Sequence, residues 1–226
     1  AFEPMRRNVS SLSSWRLYVI VDRAACGDRD PAEVAAGAIR GGADAIQLRD
    51  KTGSDQRVRT LAAAILPLTQ AAGIPLIVND RPAVAQALPG TGLHLGQEDP
   101  PIAAARSLLG PGRLIGKSTH SLAQALAAEA EGADYIGLGP IFPTPTKPDY
   151  GSIGPKRIAQ VRRRLRLPVV CIGGIETANL PAVLAAGAEC VAVVRAVCAA
   201  ADPEAATRTL KQILQQFHRH PSPSSL

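Results

Sequence analysis

The sequence predicts an α/β fold, a single (β/α)8 TIM barrel, and three observations lead there. Short apolar runs alternate with longer helical patterns along the whole chain, the arrangement that builds a parallel sheet with right-handed crossovers. Eight such units can close on themselves, and 226 residues accommodates them with short loops, since barrels of this kind commonly run to about 250 residues. A glycine-led motif also recurs before every second strand.

In chain order, strands are expected at residues 17–21, 45–48, 75–78, 92–95, 114–116, 135–138, 169–172 and 190–194. Helices are expected between them, among others at residues 31–40, 56–72, 122–132 and 204–218. Hydrophobic residues make up 46% of the chain but aromatics only 3%, so Ala, Val, Ile and Leu must fill the core, as suits buried parallel strands. The repeat is Gly42-Ala43-Asp44-Ala45-Ile46-Gln47-Leu48, Gly132-Ala133-Asp134-Tyr135-Ile136-Gly137-Leu138 and Gly187-Ala188-Glu189-Cys190-Val191-Ala192-Val193, with Gly90 opening a looser copy. Each glycine is expected to end a helix and lead at once into a strand.

Residues 1–14 are polar, lack the apolar stretch of a secretory signal and are expected to be a disordered leader. Ala1 in place of Met is what a trimmed or engineered end would give. Residues 15–218 form the catalytic barrel in this reading, and 219–226 a flexible tail. No apolar run reaches the roughly eighteen residues of a membrane span, so a cytoplasmic protein with no membrane partner is expected.

The net charge of +6 does not point to nucleic acid. Arg6 and Arg7 lie in the leader, Arg162, Arg163, Arg164 and Arg166 cluster at one helix end, and stacking aromatics are scarce. The remaining positive charge suits a small anionic substrate. Cys26, Cys171, Cys190 and Cys198 have no disulfide or C-x-x-C spacing and read as reduced thiols. His94, His120, His218 and His220 lack metal-ligand spacing, so no zinc site is expected.

Polar residues collect just after the strands, at the face where barrel active sites are built. Period-2 alternation turns Gln47 and Arg49 into the barrel mouth and Leu48 toward the helices, with Lys51 close behind. An inward Arg49 needs an anion, either a ligand or an internal ion pair. Asp80 follows strand 3 and Asp99 follows strand 4, on neighbours about 5 Å apart, so both could reach one Mg²⁺ completed by substrate phosphate and water. Either carboxylate alone could instead cap a helix. Asn79 precedes Asp80, and Ser118 adds a hydroxyl at the rim after strand 5. The long loop after strand 6 offers Thr144, Thr146 and Lys147 to a phosphate. Gly173-Gly174 after strand 7 and the backbone at Val194-Arg195, where a new helix begins, complete the phosphate site common in such barrels.

Together these segments resemble the thiamine-phosphate synthase (thiamine-phosphate pyrophosphorylase) family. The matching pieces are residues 47–51, 78–80, 94–99, 139–147 and 172–175, in the family's order, and the resemblance covers roughly residues 17 to 215. It implies a transferase that joins hydroxymethylpyrimidine diphosphate to hydroxyethylthiazole phosphate, giving thiamine phosphate and diphosphate. It further implies that Asp80 and Asp99 hold Mg²⁺ on the diphosphate. Arg49, Lys51, Asn79, Ser118 and Lys147 would bind diphosphate oxygens, with Arg49, Lys51, Ser118 and Lys147 in the catalytic role. Gln47 and His94 would orient the pyrimidine, while Thr144, Thr146, Gly174, Val194 and Arg195 would hold the thiazole phosphate. Arg195 departs from the Ser of many relatives. Two other readings of such a barrel are a thiazole tautomerase, which would not need Asp80, Asp99, Arg49 and Lys51 as a set, and a non-catalytic phosphate-ligand sensor that kept the pocket, for which nothing in the sequence marks a partner surface or an appended regulatory domain. A homo-oligomer is compatible with the sequence.

Overall fold

In the computed structural model, which describes residues 12–145 and 151–219, β1 (Leu17–Asp22) pairs in parallel with β2 (Ala45–Arg49) on one side and β8 (Cys190–Val193) on the other. Between them run β3 (Leu76–Asn79), β4 (Thr91–Leu95), β5 (Ile115–Thr119), β6 (Tyr135–Leu138) and β7 (Val169–Ile172), each bonded to its sequence neighbours. The sheet is therefore a closed barrel in sequence order. Helices follow the strands as α1 (Pro31–Arg40), α2 (Asp55–Ala71), α3 (Pro82–Ala87), α4 (Ile102–Leu109) and α5 (Leu122–Ala130). The rest are α6 (Lys156–Arg162), α7 (Leu180–Ala185), the single-turn α8 (Arg195–Cys198) and α9 (Pro203–Arg219).

Strand periodicity divides the apolar residues into two compartments. On β2, Ile46 and Leu48 face outward and pack with Val34, Ala38, Val58 and Ala62 of α1 and α2. Ala45 faces inward and packs instead with Trp15, Tyr18, Ile77, Tyr135 and Val170 inside the barrel. Helix starts are set by local chemistry. Asp30 accepts the Ala32 N–H ahead of Pro31, and Ser54 and Ser121 likewise cap α2 and α5.

The repeat has a backbone and a side-chain cause. Gly42, Gly90, Gly132 and Gly187 all have positive φ, at 99°, 96°, 86° and 98°, where a Cβ would be strained. In two of the copies the Asp two residues later, a role not foreseen from sequence, ties the next strand to the start of the preceding one. Asp44 Oδ2 accepts the backbone N–H groups of Arg16 (2.8 Å) and Leu17 (2.9 Å). Asp134 Oδ2 accepts from Ile115 N (2.8 Å) and the Arg106 guanidinium (2.7 Å).

Two expectations are corrected. The leader was expected to extend through residue 14, but Leu12 is only 2% exposed and packs with Trp15 in the barrel interior. The N-terminal end of the barrel needs an apolar plug, and this segment supplies it. Residues 1–11 and 220–226 lie outside the described residues. Strand β5 also runs on to Thr119 rather than stopping at 116, because Ser118 and Thr119 continue the ladder to Gly137 and Leu138 of β6.

All four cysteines are buried free thiols, and burial pushes Cys171 up to about 12 and Cys190 well above its ordinary value. Among the described residues no helix is long and apolar enough to cross a membrane.

Asp134 is 6% exposed and satisfies a strand N–H and a guanidinium at once. Asp134→Ala is expected to lower unfolding free energy by about 2–3 kcal/mol, the cost of leaving such partners unpaired. Urea denaturation checks this; a loss under about 0.5 kcal/mol, as for an ordinary surface change, would show that water replaces the carboxylate.

Candidate active site

A cavity of about 310 Å³ opens at the C-terminal ends of the strands, and alternation decides what lines it. From β2 to β5 the inward side chains Gln47, Arg49, Asn79, His94 and Ser118 all reach it. Ser118 is thus an inward strand residue within the cavity wall rather than a loop residue at the rim. Gly116 makes this possible: a Cβ there would stand 2.2 Å from Tyr135 Cζ and 2.6 Å from His94 Nδ1. In the space it leaves, His94 Nδ1 meets the Tyr135 hydroxyl at 3.1 Å and Nε2 meets Ser118 Oγ at 3.0 Å. Tyr18 bonds both Tyr135 (2.9 Å) and Gln47 Nε2 (2.8 Å). The two tyrosines escaped the sequence analysis because an aromatic in a strand reads as core. Gln97 Nε2 holds the Ser118 carbonyl at 2.6 Å.

Of the charged residues expected here, Arg49 lines the cavity, whereas Lys51, Asp80 and Asp99 sit at the strand ends outside its lining. Arg49 is paired with Asp22, at the end of β1, so of the two anions expected for it the internal one is found. Asp22 was not foreseen, although its place at a strand end was a usable signal. Lys51 is exposed and paired with Asp80. Its loop is held by Arg81, whose guanidinium donates to the carbonyls of Asp50, Lys51 and Gly53.

The carboxyls of Asp80 and Asp99 come close enough to shift one another's acidity, as the strand spacing predicts. Neither caps a helix, since Arg81 and Pro101 occupy those positions. Asp80 has φ 55°, a costly conformation for a residue with a side chain. Burial raises both carboxyls, but Asp99 and Lys51 pull Asp80 below its usual range, while burial and Asp80 leave Asp99 raised. Two adjacent carboxylates have the hard oxygens and the concentrated negative charge that suit Mg²⁺. Among the described residues no group of three or more His, Cys, Asp or Glu is placed to hold a metal, so substrate oxygens would have to complete the shell.

On the opposite wall, Thr144, Gly174, Val194 and Arg195 line the cavity. The Gly173-Gly174 pair has a packing reason of its own. Cβ atoms there would lie 2.4 Å from Pro140 Cα and 2.6 Å from the Pro143 carbonyl, so the pair lets the segment after β6 lie against β7. Arg195 is exposed at the first position of α8, which agrees with a rim placement. Thr146 and Lys147 lie outside the described residues.

Residues 17–197 match the family described as thiamine monophosphate synthase. The chain is 48% identical over 201 residues to a thiamine-phosphate synthase of Roseiflexus castenholzii, covering 88% of each chain. It is 44% identical over 208 residues to one of Chloroflexus aurantiacus, covering 92% of this chain and 96% of that one. Its fold superposes on the thiamine phosphate pyrophosphorylase of Pyrococcus furiosus with a TM-score of 0.83 at 36% identity, covering 91% and 98% of the two chains.

The Arg49–Asp22 pair has side-chain exposures of only 14% and 6%. Arg49→Met is therefore expected to destabilise the fold by about 3 kcal/mol by stranding Asp22, and adding Asp22→Asn should recover part of that. Denaturation of the two variants reads the difference; equal stability would mean that Asp22 is solvated without Arg49.

Proposed function

The chain belongs to the thiamine monophosphate synthase family and is a transferase of thiamine biosynthesis, and we propose that its barrel mouth separates a diphosphate from a pyrimidine between two carboxylates and a set of cations. The substrates are hydroxymethylpyrimidine diphosphate and hydroxyethylthiazole phosphate. The observation that carries the division of roles is the meeting of Asp80 and Asp99 beside Lys51, above a floor made by Gln47, His94 and Ser118. A tautomerase has no use for that set.

Asp80 and Asp99 would hold Mg²⁺, which when bound neutralises diphosphate charge and makes it a better leaving group. Arg49, Lys51, Asn79 and Ser118 bind the diphosphate oxygens and stabilise the charge that grows on them as the bond to carbon breaks. Lys147 joins them on the strength of its motif. Gln47 and His94 orient the pyrimidine. Thr144, Gly174 and the backbone at Val194-Arg195 bind the thiazole phosphate, with Thr146 again placed by motif.

The carbon–oxygen bond gives its electron pair to the departing diphosphate, and the thiazole nitrogen supplies the pair for the new carbon–nitrogen bond. That nitrogen carries no proton, so no general base is required. Holding both substrates in one small cavity supplies a further part of the rate.

Formation of thiamine phosphate from both substrates is the direct test. Asp80→Ala or Asp99→Ala is expected to lower turnover by about a hundredfold or more, with the far-ultraviolet spectrum unchanged. A chelator should act on the same step. Full activity in a metal-free sample would remove Mg²⁺ from the reading.

Arg195→Ser tests the thiazole side. An exposed cation that assists backbone donors is worth about 1 kcal/mol or less, so thiazole phosphate binding should weaken about fivefold with catalysis retained. Titrations at two salt concentrations check this, and a hundredfold loss would make Arg195 a direct clamp.

A further inference from the structure

The floor of the cavity contains more hydrogen bonding than holding a ring in place requires. Gln47 Nε2, the Tyr18 hydroxyl, the Tyr135 hydroxyl, the two His94 nitrogens and Ser118 Oγ form one connected series, with successive contacts of 2.8, 2.9, 3.1 and 3.0 Å. Its two ends, Gln47 and Ser118, both line the cavity. Burial pushes the pKa of Tyr18 and of Tyr135 well above the ordinary tyrosine range, so each hydroxyl keeps its single hydrogen. Trp15 packs on both rings, at centroid distances of 5.8 and 5.7 Å, and fixes where those hydroxyls lie.

With one proton on the imidazole, such a series has only two self-consistent senses. In one, the Gln47 amide donates to Tyr18, Tyr18 to Tyr135, Tyr135 to His94 Nδ1, and His94 Nε2 to Ser118. Gln47 then offers its carbonyl oxygen to the cavity, and Ser118 offers its hydrogen. In the other sense every donor is reversed: Gln47 offers its NH₂ group and the Ser118 hydrogen turns inward to His94. A ligand that satisfies one end sets the other.

We infer that these side chains act as a hydrogen-bond relay coupling the two ends of the pyrimidine diphosphate site, so that a phosphate oxygen at Ser118 fixes Gln47 to accept from a ring amino group and to reject a ring carbonyl. Phosphate oxygens have no hydrogen to donate and require one from Ser118, which selects the first sense. Tyr18 and Tyr135 are positioning residues in this arrangement. The inference rests on the proposed assignment of the diphosphate and the pyrimidine to this cavity.

The test is calorimetric titration of the whole protein with Mg²⁺ present. The ligands are hydroxymethylpyrimidine, which carries the amino group, and its analogue with a carbonyl at that position, each with and without saturating inorganic diphosphate. Diphosphate is expected to raise the preference for the amino ligand about tenfold, within the range of ordinary coupling between sites. Tyr18→Phe, which breaks the series while keeping the ring, should bring that change within about twofold while the KM for thiazole phosphate stays the same.

Tyr135→Phe is a second break at the middle of the series, and the wild-type coupling needs no variant at all. An equal effect of diphosphate on both ligands, or a preference that survives both substitutions, overturns the relay. If neither pyrimidine binds and no thiamine phosphate forms, the proposed function falls and the relay with it. Binding and turnover without differential coupling remove the relay alone.

Discussion

An eight-stranded barrel leaves an interior just wide enough for side chains, and whatever occupies it determines how deep a ligand can go. In this chain the inward positions nearest the N-terminal end are closed by Leu12, Trp15, Tyr18 and Tyr135, a concentration of large rings in a sequence with only 3% aromatics. Above them the inward residues turn polar at once, beginning with Gln47 and His94, which are 2% and 8% exposed. Buried polar groups need partners, and here the tyrosine hydroxyls supply them. The apolar plug and the recognition surface are therefore two sides of the same rings.

Charge is managed differently at the mouth. Arg49 and Lys51 each have an internal partner, Asp22 and Asp80, so this part of the mouth carries compensated charge rather than a bare positive field. Under the proposed assignment an arriving diphosphate would compete for cations already positioned by their pairs, and Arg81 fixes the backbone that carries Lys51. That would limit the reorganisation required when the anion binds. The carboxylate pair is the opposite case, since Asp80 and Asp99 repel one another and a divalent cation would relieve the strain.

The fold was legible because it rests on periodicity. Every expected strand exists, with ends shifted by a few residues, and the recurring glycines all fall in left-handed backbone. Much of the site was legible for the same reason: residues at strand ends with inward parity, such as Gln47 and Arg49, had to reach the mouth. What stayed hidden depends on partners far apart in sequence. The pairing of Asp22 with Arg49 and the bond of Tyr18 to Tyr135, 117 positions away, leave no local pattern. Leu12 was misread because scattered apolar residues in a polar stretch carry no period. Strand β5 was cut short because Lys117, Ser118 and Thr119 look like a loop until the neighbouring ladder is known.

Gly116 has a consequence outside this molecule. Its missing side chain is the space in which Tyr135 and His94 touch, and no rotamer change would restore that contact once a methyl group stood 2.2 Å from the phenol ring. The position therefore works as a marker readable without coordinates. Among barrels of this outline, a chain bearing any larger residue there must have rebuilt its floor. An inventory of genomes sorted on that one column would separate those able to keep this imidazole–phenol contact from those whose ligands must be recognised by other means.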